Sequence, residues 1–123
     1  MSDEAPVPDD VGDDSRPMTL RLVLEQAALA ADDEAPWPVI AEVAADGVTT
    51  WSMEDVAFAT IDAAGMTASF RLDPVLAGAA RRTPDTGPSF LGPEWVEFRP
   101  AVLDGHAADR AAAWFVAAVR RAG

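Results

Sequence analysis

Cysteine is absent from this chain of 123 residues. That excludes a disulfide framework, a thiolate metal site and a thiol nucleophile. Lysine is absent as well, so the nine basic residues are all arginine. They stand against 21 Asp and Glu, for a formal net charge of −12. Nucleic-acid binding normally needs a basic stripe that displaces counterions from phosphates. The overall field of this chain repels polyanions, so binding one would require a local arginine patch. No apolar run reaches the roughly 18 residues needed to span a bilayer, which predicts no membrane partner. The opening MSDEAPVPDD is acidic and lacks the basic and apolar regions of a signal peptide. A soluble, cytoplasmic protein is the expectation.

Catalytic motifs are equally scarce. There is no G-x-G-x-x-G, no P-loop and no G-x-S-x-G, so the usual phosphate cradles and the serine-hydrolase elbow are missing. The single histidine, His106, has Asp104 and Asp109 nearby but no HxxxH or HxxE partner. A metal site needs three or four converging ligands, so His106 reads as a surface residue at a helix start. The carboxylates are plentiful but scattered. The expectation is a protein that is not an enzyme and needs no cofactor or metal.

Residues 1–17 carry six acids, three prolines and one arginine, a net of −5. Such a segment buries too little apolar surface to offset its ordering entropy, and is expected to be a disordered, acidic tail. Residues 18–123 are long enough for one domain with a single modest core.

Within that domain the periodicity predicts a helix from Pro17 to about Ala31, with Ser15 as N-cap and Leu20, Val23, Leu24, Ala27, Ala28 and Ala31 at helical spacing. Residues 37–51 read as a hairpin, Val39–Val43 and Val48–Trp51 about an Asp46-Gly47 turn, with a helix left open as the alternative. A central hairpin follows, strands Val56–Ile61 and Met66–Leu72. In its second strand Met66, Ala68, Phe70 and Leu72 point one way and Thr67, Ser69 and Arg71 the other, the alternation of a sheet with one buried face. Asp73 and Pro74 start a short helix with Val75, Leu76 and Ala79 inward and Arg81 and Arg82 in its last turn. Residues 83–93, with three prolines, read as a loop. Glu94–Arg99 reads as a strand, and Asp104 caps a long helix through about Arg121, with Ala111, Phe115, Ala118 and Val119 on its core stripe. Trp114 falls at the edge of that stripe. Trp37 and Trp51 read as packing anchors. The order predicts an α+β fold: a twisted antiparallel sheet with helices packed on one face.

From about Trp51 to Ala122 the chain resembles the MmcQ/YjbR family of small bacterial proteins. The resemblance is carried by Phe58-Ala59-Thr60-Ile61, by Phe70-Arg71-Leu72-Asp73-Pro74, by Gly92-Pro93-Glu94-Trp95-Val96, and by a closing helix with Trp114-Phe115 and Arg120-Arg121. It implies a CyaY-like, double-wing α/β fold and a DNA-binding role. Where family members have a glycine-rich, lysine-bearing turn before the first of these strands, this chain has Met53-Glu54-Asp55.

The residues themselves point to one candidate ligand site. Trp95, Glu97 and Arg99 share a strand face opposite to Val96 and Phe98, and Arg71 shares that open face with Thr67 and Ser69. An aromatic among arginines on an open sheet can stack a base or another planar ligand. Arg71, Trp95 and Arg99 are therefore the candidate binding residues, with DNA as one expected partner. A basic protein drawn to the acidic surface is the other. Packing of Trp95 beneath the loop 83–93 is the alternative for that residue. The doublets Arg81-Arg82 and Arg120-Arg121 read as helix-end charges, or as one basic patch should the fold bring them together.

Overall fold

The computed structural model describes residues 19–123. The expected tail, Ser15 as cap and Pro17 as first turn lie outside the described residues. Helix α1 (Leu20–Asp32) starts at Thr19, whose extended backbone lets its hydroxyl accept from the Leu22 N–H at 3.1 Å. Strand β1 (Ile40–Val43) and strand β2 (Thr49–Met53) form the first hairpin, which settles residues 37–51 as sheet. Gly47 turns it at φ +89, and Asp46 accepts from the Val48 N–H.

Strand β3 (Val56–Ile61) and strand β4 (Ala68–Arg71) form the central hairpin. Its turn is held by Asp62, whose Oδ1 accepts from Met66 N and Thr67 N, and by Gly65 at φ +75. Helix α2 (Pro74–Ala80) begins where Asp73 Oδ1 accepts from Val75 N and Leu76 N. Strand β5 (Thr86–Ser89) and strand β6 (Gly92–Phe98) then pair, and helix α3 (Gly105–Ala122) closes the chain, capped by Asp104 through the Ala107 N–H.

The six strands are ordered β1-β2-β3-β4-β6-β5 and every neighbouring pair is antiparallel. The sheet is open, and the fold is α+β. Helices α1 and α3 pack on each other, and α3 lies on β3 and β4. Phe115 of α3 is fully buried and sits edge-on to Trp51 and Phe58, with ring centroids 5.5 and 5.3 Å away. Trp114 meets Phe70 and Phe98 on the same side. The inward face thus runs Trp51, Phe58, Ile61, Phe70, Val96 and Phe98, all 0–2 % exposed. The opposite face carries Thr50, Ser52, Thr60, Ser69, Arg71, Trp95 and Glu97.

Several residues depart from the pattern reading, each for a local reason. Ala59 pairs with Trp51 and Ala57 with Ser52, which leaves Phe58 as the extra residue of a β-bulge. Phe58 and Ala59 therefore both face the core, at 0 % exposed, where strict alternation would send one outward. Residues 83–93 are not all loop, since β5 lies among them. Arg99 N donates to Asp85 O, so the pairing bonds fall at Asp85 and Gly87 while Thr86 and Pro88 point their backbone outward. Pro88 lacks an N–H on the side where none is needed, as proline on an edge strand must. In α2 the buried residues are Ala77 and Ala80, with Leu76 against the core. Val75 is 83 % exposed and Ala79 is exposed too, because the helix turns the stripe of Leu76, Ala77 and Ala80 to the core instead. Met66 and Trp37 are half exposed, whereas Trp51 and Trp114 are core.

Candidate functional site

Register places Arg71 directly across from Trp95, and Ser69 directly across from Glu97, on the open face between β4 and β6. Side chains so paired lie about 5 Å apart at Cβ. Arg71 and Trp95 are therefore neighbours, both half-buried. Arg99 is exposed and lies one residue past the end of β6. Four residues of strand separate it from Trp95, about 13 Å. The fold brings two of the three candidate residues together and leaves the third at the other end of the strand.

What sequence did not reveal is the partner of Arg71. Its Nε donates to Glu94 Oε1 at 3.3 Å, and Arg121 Nη2 reaches the same oxygen at 2.5 Å from the last turn of α3. The hydrogen bond from Arg121 is the largest influence holding the Glu94 carboxyl below its ordinary value. The charges of Arg121 and Arg71 and the Arg71 hydrogen bond add to it, and partial desolvation opposes it. Arg81, at the C-cap of α2, donates from Nη2 to the carbonyls of Pro93 and Trp95. Three arginines from β4, α2 and α3 thus converge on the first residues of β6. One member of each helix-end doublet joins this group, where Glu94 offsets one of the three positive charges and the Pro93 and Trp95 carbonyls occupy the Arg81 donor.

The other described arginines follow the same rule. Arg21 donates to Thr49 Oγ1 at 2.7 Å and to Asp62 O at 3.1 Å, which satisfies a buried threonine and ties α1 to two turns. Arg110 lies 5.0 Å from the centroids of both Phe98 and Trp114, and its Nη2 donates to Thr83 Oγ1 and Pro84 O. Among the described residues, only Arg82, Arg99 and Arg120 extend no side-chain hydrogen bond to another described residue. The carboxylates show the reverse. The ion pairs among the described residues both end on Glu94. Asp32, Asp46, Asp62, Asp73 and Asp104 serve backbone N–H groups, and the remaining described acids are exposed, apart from the half-buried Glu97.

His106 is exposed in the first turn of α3. Among the described residues no group of three or more His, Cys, Asp or Glu is placed to hold a metal ion. No helix among them is long and apolar enough to cross a membrane.

No protein-family model matches the sequence, and no curated protein does. Among solved structures, one similar chain is a protein from Pseudomonas syringae determined by the Northeast Structural Genomics Consortium. It superposes with a TM-score of 0.52 at 12 % identity, over 80 % of this chain and 97 % of its own. At that identity the likeness establishes the α+β architecture of the chain and nothing of its activity.

Proposed function

We propose that this protein is a non-enzymatic binding module whose partner is a basic polypeptide. The observation behind this reading is the unequal use of the two charges. Five of the eight described arginines are engaged within the fold, while most of the described carboxylates outside the caps have no arginine partner among the described residues. Arginines held by internal acceptors contribute little to a phosphate-binding surface, because counterion release scales with the cations free to meet phosphates. Unpaired carboxylates leave a negative field that draws a cationic chain and speeds its encounter.

A second reading is nucleic-acid binding on the open sheet face around Arg71, Trp95 and Arg99, as the resemblance to the MmcQ/YjbR family would imply. What favours it is the cross-strand pairing of Arg71 with Trp95, a cation beside a stacking surface. Fluorescence anisotropy separates the two. A labelled arginine-rich peptide and short single- and double-stranded DNA are each titrated with the full chain at low and at near-physiological salt. The expected result is salt-sensitive binding of the peptide and none of the DNA. DNA binding in the micromolar range that Arg71→Glu abolishes would establish the second reading in place of the first.

A further inference from the structure

The two edges of the sheet are built differently. At one edge, β5 directs the backbone of Thr86 and Pro88 outward, and Pro88 interrupts its row of donors. At the other edge, β1 has no such interruption. Ala44 N donates to Val48 O, so in this register Ile40 and Glu42 bond to β2 while the N–H and C=O of Ala41 and Val43 point away from the sheet. All four residues of β1 are exposed, and among the described residues no strand covers their outer side. An open, proline-free edge with apolar side chains is a template for another strand.

Beside this edge lies a groove of about 300 Å³ between β1 and α1, walled by Ala28, Leu29, Val39, Ala41 and Trp51 and rimmed by Glu25 and Asp32. Leu29 is 74 % exposed and Val43 68 %. On the other face of the strand Ile40 is 51 % exposed beside Glu42. The site therefore offers free backbone groups, apolar floor and carboxylates together, and no arginine lines it. The larger cavity of about 480 Å³ between the C-terminal ends of α1 and α3 has Glu34 and Arg120 at its sides and no free strand edge.

We propose that the outer edge of β1 takes up an extended, basic polypeptide segment as a seventh strand, with alternate side chains of that segment laid into the groove against α1. This deepens, and rests on, the reading that the partner is a basic polypeptide. Charge selects the occupant. A second copy would bring its own β1 edge, with Glu42, Glu25 and Asp32, against the same three acids. The chain's residues 1–18 carry six acids and are repelled for the same reason. A segment in which apolar residues alternate with arginine or lysine matches both features: its apolar side chains meet Leu29, Val39 and Ala41 on the α1 side, its cations on the opposite face reach Glu42, and Glu25 and Asp32 at the groove rim add to the field that attracts it.

The test uses the full chain, ¹⁵N-labelled, and a short peptide in which valine alternates with arginine. The expected result is slowed amide exchange at Ala41 and Val43 when peptide is added, with little change at Ile40 and Glu42, whose N–H groups already serve β2. Val43→Pro removes an outward N–H and no bond to β2, and is expected to weaken peptide binding about tenfold or more. Leu29→Ala, a change at an exposed residue that leaves folding intact, should weaken it by a smaller factor. Equal affinity for wild type and Val43→Pro, without protection at Ala41 and Val43, would overturn the edge site and leave the basic-partner reading standing. No peptide binding at low salt would overturn both. Protection of those two amides in the absence of peptide, together with dimers in sedimentation, would assign the edge to a second copy instead.

Discussion

Arg110 is where the internal use of arginine can be measured most directly. Its guanidinium lies between the rings of Phe98 and Trp114, 5.0 Å from each centroid, and donates to Thr83 Oγ1 at 2.8 Å and Pro84 O at 2.6 Å. The contact fastens α3 to the segment joining α2 and β5. A hydrogen bond from a charged donor contributes about 1.5–3 kcal/mol where it is well shielded, but the bond to Pro84 is exposed and both bonds come from one nitrogen. A cation over a ring adds about 0.5–1 kcal/mol at such a site. These terms overlap, so Arg110→Ala should cost about 2–3 kcal/mol, enough to lower Tm by roughly 8–12 °C in a domain of this size. Arg110→Lys keeps the charge but cannot stack a planar fork while reaching both acceptors, and should lose about half as much. Thermal melts followed by circular dichroism, with urea titrations for the free energy, provide the assay. If Arg110→Ala shifts stability by less than about 0.5 kcal/mol, the size of an ordinary surface substitution, the arginine is not a structural tie, and these cations are not held by the fold.

Other outcomes follow from the same geometry. Gly47→Ala should destabilise by about 1–3 kcal/mol, because its φ is +89 and a Cβ there would lie 2.7 Å from the Cβ of Ala63. Gly87→Ala, with nothing within 4 Å of the added carbon, should be close to neutral in the same urea titration. Glu94 links stability to acid. Its carboxyl is held below the ordinary value in the folded state, so its contribution is present above the unfolded value and is lost as pH falls through the folded one. Melts from neutral to acidic pH should show wild type losing stability relative to Glu94→Gln over that window, less steeply in high salt. A gap between the two proteins that stays constant with pH would sink this assignment. Phe115→Leu removes two edge-on ring contacts from a fully buried site and should cost about 1–3 kcal/mol, with loss of near-ultraviolet dichroism from Trp51.

The legible parts of the chain were those governed by neighbours in sequence. Val56–Ile61 is a strand at the limits read from the sequence, and the Asp73-Pro74 and Asp104 helix starts depend on N–H groups two or three residues away. Strand β5 was hidden because Gly87 and Pro88 resemble a loop, and only the position of β5 at the sheet edge makes them acceptable. The bulge at Phe58 was hidden because its cause lies across the sheet, in the register with Trp51 and Ser52. The candidate site divides the same way. That Trp95 lies on one face with Glu97 and Arg71 follows from the two-residue period, whereas the meeting of Arg71 and Arg121 on Glu94 depends on residues 23 and 27 positions apart. No local pattern encodes such a meeting, and it decides whether those arginines are available to a ligand.

The proline in β5 also sets a stoichiometry. A sheet with two receptive edges behaves as a difunctional monomer, and its copies can add without limit into a ribbon. With Pro88 closing one edge, each molecule has a single reactive end, and strand addition stops after one event. A second copy that joined at β1 would therefore end the assembly as a discrete pair rather than a growing fibre.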